Sequence, residues 1–201
     1  MDIPISAAIL SGGAAKRFGG ITKANIVVGG RTIVSRILNS FSGMFDEIMI
    51  ITNSPAEYSC IQGVRLVPDI VQGVGPLGGI HAALSASSSD AVFVVAGDMP
   101  LVNSALVLEQ MKQFRAGIPD ALIPRKGKYI EPLHSIYSKR VLSLLDDYLR
   151  KNRGHAVWEF ITTLNAEYFE YAGNPEAANS FMNVNSPEDA LLIEKIITGR
   201  G

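Results

Sequence analysis

Short apolar segments alternate with helix-patterned segments along the first half of the chain. Residues 32–41 and 104–114 place apolar side chains at helical spacing, and residues 79–85 are rich in small residues. The strand candidates are rich in β-branched residues and lack a polar face; they lie at 6–10, 47–52, 64–67 and 91–96. Strands that are apolar on both faces are typical of a parallel sheet covered by helices on both sides. The order therefore predicts an α/β fold with three α/β/α layers, a mostly parallel sheet and right-handed crossovers.

The second half of the chain is less regular and is interrupted by prolines. Strands are predicted at 121–124, 133–137 and 168–171, with an antiparallel pairing left open, and helices at 139–149 and 155–163. A last helix is predicted to start after Ser186, with Pro187 in its first turn and Gly199 as its stop. With 201 residues and no internal repeat or linker, we expect one domain.

Composition excludes several classes of partner. The chain has 18 basic and 19 acidic residues, for a net charge of −1, so a broad electrostatic surface for nucleic acid or an anionic membrane is not expected. No apolar run approaches the roughly 20 residues that cross a bilayer. Cys60 is the one cysteine, so an intramolecular disulfide cannot form. We therefore expect a cytoplasmic protein.

The most informative segment is the glycine-rich loop that follows the first predicted strand. Gly12 and Gly13 let backbone amides approach a ligand closely, while Arg17 and Lys23 add positive charge. Backbone donors with two cations suit a polyphosphate, although a plain glycine turn with two solvated cations fits the loop equally well. The spacing matches neither a Walker A loop nor the dinucleotide fingerprint, which disfavours ordinary ATPases and dehydrogenases.

A carboxylate follows the most apolar predicted strand. Asp98 comes two residues after the segment 91–96, and parallel strands would bring it to the same sheet edge as the glycine loop. A carboxylate facing a polyphosphate needs a cation between them, and Mg2+ bound by one or two carboxylates and phosphate oxygens is the usual solution. A helix cap or a turn is the simpler role for Asp98 alone, but the loop favours the metal.

A second glycine-rich bend lies at residues 75–79. Its first members, Gly75, Pro76 and Leu77, lead into a predicted helix and could place backbone groups against a base. Asp69 lies just upstream and could accept hydrogen bonds from a base or a ribose. Plain turn chemistry explains the two later glycines of the bend equally well.

Together these segments resemble the molybdenum cofactor guanylyltransferases, a family of nucleotidyltransferases with the nucleotide-diphospho-sugar transferase fold. The family pattern has four parts in this order: Leu-x-Gly-Gly-x-x-x-Arg-Met-Gly-x-x-x-Lys, Gly-Pro-Leu-x-Gly, Asp-x-Pro and Asn-x-Asn-x-Pro-Glu-Asp/Glu. The matching segments here are residues 10–23, 75–79, 98–100 and 183–189. The likeness covers nearly the whole chain, with Phe18 in place of the usual Met.

The resemblance implies a role for particular residues. Arg17, Lys23 and Asp98 would be catalytic, with Asp98 as the Mg2+ ligand. The acceptor would contact Asn183, Asn185 and Arg153. The nucleotide would contact the two glycine-rich segments and nearby polar residues, namely Leu10, Ser11, Gly12, Gly13, Lys23, Asn53, Asp69, Gly75, Pro76, Leu77 and Asp98. The nucleotide-binding half would cover about 1–103, and the acceptor-binding half about 104–201.

The implied reaction transfers GMP from GTP to the phosphate of molybdenum-molybdopterin and releases pyrophosphate, with Mg2+ as cofactor. Proteins that deliver molybdopterin or mature molybdoenzymes would be transient partners. Cytidylyl transfer to molybdopterin and nucleotidyl transfer to a sugar or polyol phosphate stay open, because backbone geometry in the glycine bends decides the choice of base. A non-catalytic nucleotide-binding docking protein is the alternative of another class.

Overall fold

The computed structural model describes residues 3–12, 22–151, 156–171 and 175–199. Its strands are β1 (Ile5–Leu10), β2 (Val27–Val28), β3 (Arg31–Thr32), β4 (Ile48–Ile51), β5 (Arg65–Val67), β6 (Ala91–Ala96), β7 (Ala121–Lys126), β8 (Tyr129–Ile130), β9 (His134–Ser138) and β10 (Ala166–Glu170). Its α-helices are α1 (Ile33–Ser40), α2 (Pro76–Ala86), α3 (Ser104–Gly117), α4 (Leu142–Lys151), α5 (Val157–Ile161), α6 (Pro175–Ser180) and α7 (Pro187–Thr198). Each predicted strand and helix has a counterpart; β6 has the predicted bounds and most other ends are shifted. The β2–β3 hairpin, β8 and α6 were not predicted.

One sheet organises the described part of the chain. Its strand order is β10-β7-β9-β6-β1-β4-β5, with β8 paired to β7. The strands β6, β1, β4 and β5 run parallel, whereas β9 runs antiparallel to both β6 and β7. The sheet is therefore mostly parallel on one flank and mixed on the other, which confirms the predicted fold class.

Successive side chains of the central strands pack alternately into two apolar cores, one on each face of the sheet. Ala7, Ile9 and Phe93 pack with α1, α3 and α7 on one face of the sheet. Ala8 and Val94 pack with α2, α4 and α5 on the other face. Because successive residues of a strand point to opposite faces, strands without a polar side chain require helices on both sides. The three-layer prediction is thus confirmed.

The last helix, α7, begins and ends as its sequence predicts. The Ser186 side chain accepts a hydrogen bond from the Asp189 amide at 3.3 Å, and the Asp189 carboxylate accepts from the Ser186 amide at 2.9 Å. This reciprocal cap satisfies two donors at the helix start. Gly199 ends the helix with φ 64°, a left-handed conformation that favours glycine. Within the described residues, every helix is too short or too polar to span a lipid bilayer.

Candidate active site

The carboxyl ends of the parallel strands open into a cleft of about 690 Å³. Leu10 at the end of β1 is level with Ala96 at the end of β6. Because β9 is antiparallel, its first residue, His134, lies beside Val95 and brings the preceding segment to the same edge. The described residues around the cleft come from nearly every loop at that edge: Leu10, Ser11, Gly12, Thr22, Lys23, Ala24, Ile51, Asp69, Val71, Gly73, Gly75, Pro76, Gly79, Ala96, Gly97, Asp98, Met99, Glu131, Pro132, Leu133, Asn183 and Asn185.

The middle of the cleft is occupied by an ion pair between Lys23 and Asp98. The Lys23 ammonium lies 2.9 Å from Asp98 Oδ2 and donates a second hydrogen bond, of 2.5 Å, to Asn185 Oδ1. The side chains of Lys23 and Asp98 are 32% and 17% exposed, so both remain within reach of a ligand. Three segments that are far apart in sequence thus converge on one ammonium group.

Backbone hydrogen bonds hold Asp98 in this position. The Gly97 amide donates to the Leu10 carbonyl at 2.9 Å, and the Val184 amide donates to the Asp98 carbonyl at 2.8 Å. A Cβ atom at Gly97 would lie 2.9 Å from the Leu10 carbonyl oxygen and 3.1 Å from Ala24 Cβ. Glycine is therefore required by the close approach of the β1 and β6 ends.

The cap of α7 also orients the segment that contains Asn185. The Asp189 carboxylate accepts a hydrogen bond of 2.9 Å from the Asn185 amide, in addition to that from Ser186. The helix start thereby fixes the backbone from which Asn185 reaches Lys23. This explains physically why an Asn-x-Asn element directly precedes a helix start.

The glycine-rich loop enters the cleft through Leu10, Ser11 and Gly12. The Ser11 amide donates to the Ile51 carbonyl at 2.9 Å, which holds the loop beside the end of β4. The Ser11 hydroxyl is hydrogen-bonded to the hydroxyl of Tyr58, a fully buried residue that sequence reasoning missed. Burial raises the pKa of Tyr58, so its hydroxyl stays protonated. No sequence pattern links the two residues.

Asp69 lies at the far end of the parallel flank and is held by Asn53. The Asn53 Nδ2 atom donates to Asp69 Oδ2 at 3.3 Å, and the Asp69 amide donates to Asn53 Oδ1 at 3.1 Å. Partial burial raises the pKa of Asp69, and the Asn53 hydrogen bond opposes that rise. Asp69 lines the cleft whereas Asn53 does not, so Asn53 supports Asp69 in this structure.

In the second glycine-rich bend, some residues line the cleft and others are buried in the core. Gly75 has a φ of 62° and lines the cleft together with Pro76, the first residue of α2. Leu77 does not reach the cleft; it is fully buried in the apolar core against the sheet. The first turn of α2 directs its side chain inward, so its predicted contact with the nucleotide, which concerns backbone groups, stays a prediction. Gly79 packs against Leu10, with 3.1 Å between a built Cβ and the nearest Leu10 carbon.

The antiparallel flank contributes polar groups of a different kind. Glu131 lines the cleft with Pro132 and Leu133, and burial raises the pKa of the Glu131 carboxyl. Asn183 also lines the cleft, and its Oδ1 atom is buried without a hydrogen-bond partner in the described structure. In the sequence, residues 131–134 resemble a family segment near the acceptor, a likeness that carries little weight by itself.

Gly13, Arg17 and Arg153 lie outside the described residues, and their predicted roles stay predictions. Within the described ranges, no group of three or more His, Cys, Asp and Glu side chains could hold a metal ion on its own. One carboxylate is nevertheless enough for Mg2+ when phosphate oxygens and water complete the coordination. Lys23 binds Oδ2 of Asp98, which leaves Oδ1 available to such a cation. The donor set therefore fits Mg2+ held jointly with a polyphosphate.

An open α/β sheet with a polar cleft beyond the carboxyl ends of its strands is typical of nucleotide-handling enzymes. Residues 7–167 match the family described as MobA-like NTP transferase domain. Since this match covers most of the chain, the protein belongs to the MobA-like NTP transferase family.

Curated relatives agree with this assignment. A protein of Peptoclostridium acidaminophilum, named probable molybdenum cofactor guanylyltransferase, is 36% identical over 193 residues, which are 92% of this chain and 86% of the relative. The molybdenum cofactor guanylyltransferase of Desulfosudis oleivorans is 31% identical and covers 96% of both chains.

Solved structures share the fold. The molybdopterin-guanine dinucleotide biosynthesis protein A of Archaeoglobus fulgidus has a TM-score of 0.80 and 28% identity, covering 96% of this chain and 99% of its own. The 4-diphosphocytidyl-2C-methyl-D-erythritol synthase of Anaerococcus prevotii has a TM-score of 0.72 at 16% identity, covering 98% of this chain and 97% of its own. The second similarity indicates a common fold alone.

Proposed function

We propose that the chain transfers GMP from GTP to the phosphate of molybdenum-molybdopterin, releasing pyrophosphate and forming the molybdopterin guanine dinucleotide. The observation that carries this proposal is the convergence of Lys23, Asp98 and Asn185 in one cleft. It joins the glycine-rich loop, the end of β6 and the Asn-x-Asn element, which are the segments that the family resemblance assigns to phosphate, metal and acceptor. The relatives named molybdenum cofactor guanylyltransferase support the choice of substrates.

The acceptor phosphate is the nucleophile in this reaction. One of its oxygens forms a bond to the α-phosphorus of GTP, and the bond from that phosphorus to the β-bridging oxygen breaks. The second pKa of a phosphate monoester is about 6, so the attacking oxygen is already ionised at neutral pH. A general base is therefore unnecessary, in agreement with a described cleft lining that contains no histidine.

The residues of the cleft lower the barrier by orientation and by charge. Lys23, released from Asp98 when the triphosphate enters, would donate to phosphate oxygens, and Arg17 would add a second cation to stabilise the leaving pyrophosphate. Leu10, Ser11 and Gly12 would lie against the nucleotide, while Asn183 and Asn185 would face the acceptor. Mg2+ held by Asp98 would neutralise part of the negative charge of the phosphates.

The setting of the reaction is part of the proposal. The cytoplasm would supply GTP, and proteins that deliver molybdopterin or mature molybdoenzymes would meet the enzyme there. In the structure, the single cysteine, Cys60, is exposed and free. Residues 1–103 would bind the nucleotide and residues 104–201 the acceptor, although Asn185 reaches back to Lys23.

The proposal is tested with the purified chain, Mg2+ and molybdenum-molybdopterin offered with each of the four nucleoside triphosphates. Pyrophosphate release and the mass of the product are recorded. We expect turnover with GTP and a product larger than the acceptor by one GMP unit. Turnover with CTP in place of GTP would change the base assignment. Binding of GTP without turnover in any mixture would favour a docking protein.

A further inference from the structure

The cleft has a carboxylate at each end, Asp69 and Glu131. Asp69 is predicted to contact the nucleotide, whereas Glu131 has no role so far. Asp69 follows β5, and Glu131 precedes β9. Four strand-to-strand steps separate β5 from β9 in the sheet, which is about 19 Å at the usual strand spacing. Lys23 and Asp98 lie between the two carboxylates, since they belong to the loop after β1 and to the end of β6. Glu131 is therefore on the side of the phosphates away from Asp69.

The Glu131 carboxylate has no hydrogen-bond or ion-pair partner among the described residues. In the described ranges its carboxylate receives no hydrogen bond and forms no ion pair, whereas Asp69 is held by Asn53. Among the described residues the contacts of the Glu131 segment are made by its backbone: the amide donates to the Pro124 carbonyl at 3.0 Å, and the carbonyl accepts from Ser135 Oγ at 2.7 Å. A partly buried carboxylate without a partner is costly unless a ligand supplies donors.

The surroundings of Glu131 restrict what that ligand can be. A phosphate is excluded, because two anions would repel each other in a partly desolvated site. Pro132 and Leu133 form an apolar wall beside the carboxylate, and the buried Asn183 Oδ1 atom is a second acceptor without a partner in the described cleft. The site therefore suits a flat ring that presents N–H donors at its edge.

A pterin has such an edge. Its 2-amino-4-oxo ring presents a cyclic N–H and an amino group side by side, and a carboxylate can accept from both in parallel. We propose that Glu131 determines acceptor specificity by accepting hydrogen bonds from the amino group and the adjacent ring N–H of the pterin. This inference rests on the proposed function, which makes a pterin phosphate the acceptor. Partial burial raises the pKa of Glu131 by disfavouring its charged form, and donors supplied by a ligand would offset that cost.

The inference is tested by binding, separately from turnover. The full chain is titrated calorimetrically with 6-hydroxymethylpterin phosphate and with the matching lumazine phosphate, in which a carbonyl oxygen replaces the amino group. We expect the wild type to prefer the pterin by about 10-fold or more, as for a hydrogen bond to a charged group. We expect Glu131→Gln to lose most of that preference and Glu131→Asp, which keeps the charge, to retain part of it. Glu109→Gln, which changes an exposed glutamate on α3, is the matched control and should bind like the wild type.

Titration of each variant with GTP shows whether the rest of the cleft is intact, and we expect a change in affinity below about twofold in Glu131→Gln. Two results would overturn the inference: no pterin preference in the wild type, or an undiminished preference in Glu131→Gln. A variant that loses affinity for GTP instead would assign Glu131 to the guanine. Absence of GMP transfer by a wild type that still prefers the pterin would break the proposed function and leave the ring recognition standing.

Discussion

The two ends of the cleft differ in how their polar groups are prepared for a ligand. At the end formed by parallel strands, Asp69 is already fixed by two hydrogen bonds with Asn53. At the end formed by the antiparallel strand, the partly buried Glu131 carboxylate lines the cleft and receives no hydrogen bond from the described residues. The first end is preorganised, whereas under our proposal the second end would acquire its hydrogen bonds from the acceptor. Variants can therefore separate the two ends from each other and from the ion pair between them.

Variants of the central ion pair should impair both ends at once. We expect Lys23→Ala and Asp98→Ala each to lower kcat roughly 100-fold or more, because one charged contact in a transition state contributes on the order of 3 kcal/mol. Pyrophosphate release under saturating GTP and acceptor measures the effect. Lys151→Ala and Asp147→Ala, which break an exposed pair on α4, are the controls and should keep wild-type turnover. Unchanged turnover in either cleft variant would contradict the mechanism.

The antiparallel end should show a pH dependence of stability that comes from a buried histidine. His134 is fully buried, and burial lowers its pKa to about 4 from 6.5. Between these values the unfolded chain binds a proton that the folded chain excludes, so stability falls as the pH drops from about 6.5 to 4. The loss amounts to roughly 3 kcal/mol for one such group.

Urea unfolding at pH 7 and pH 4 tests this expectation. His134→Gln removes the titrating group while keeping a side chain that can reach Ser180, whose hydroxyl lies 3.0 Å from His134 Nε2. We expect the variant to lose roughly 3 kcal/mol less than the wild type over this pH interval. Equal losses in the two proteins would show that His134 binds its proton in the folded state.

The close contact between the ends of β1 and β6 at Gly97 should make stability sensitive to one added methyl group. We expect Gly97→Ala to cost roughly 1–3 kcal/mol, because its Cβ would press on the Leu10 carbonyl and on Ala24. In a chain of this length that corresponds to a fall in Tm of about 2–4 °C per kcal/mol. Gly12→Ala is the matched control, since a Cβ there meets nothing within 4 Å. Thermal unfolding followed by circular dichroism compares the two variants.

A substitution at the parallel end should act on the nucleotide alone. We expect Asp69→Asn to raise the KM for GTP about 10-fold, through loss of charge-assisted hydrogen bonds, and to leave the KM for the acceptor within about twofold. Steady-state kinetics with each substrate varied in turn provides the comparison. Asp46→Asn changes an exposed aspartate away from the cleft and serves as the control. An equal rise in both constants would remove the distinction between the two ends.

The central strands and the flanking helices could be predicted because their signals are local. The run 91–96 is apolar on every side and became β6, and Ser186 with Asp189 marks the start of α7. The hairpin of β2 and β3 was missed, because its four paired residues are too few to form a periodic pattern. Local pattern thus identifies elements that bury large apolar faces and misses those that rest on a few hydrogen bonds.

The candidate site shows the same limit at the level of single residues. Lys23 and Asp98 belong to motifs and lie together, as the parallel arrangement of β1 and β6 requires. Tyr58 reaches Ser11 from 47 positions away, a contact that only the folded chain creates. Leu77 belongs to a recognisable motif, yet the first helical turn directs it into the core. Motifs therefore predict which segments meet, and packing decides which side chains face the ligand.

The reversed direction of β9 gives the enzyme a modular design. A parallel strand delivers its last residue to the cleft, as β1 and β6 do with Leu10 and Ala96. By contrast, β9 delivers its first residue, so the adjoining hairpin of β7 and β8 can change in length or composition without moving Lys23 or Asp98. If the acceptor binds at this end, as we propose, one acceptor could be replaced by another without a change in the residues of nucleotidyl transfer.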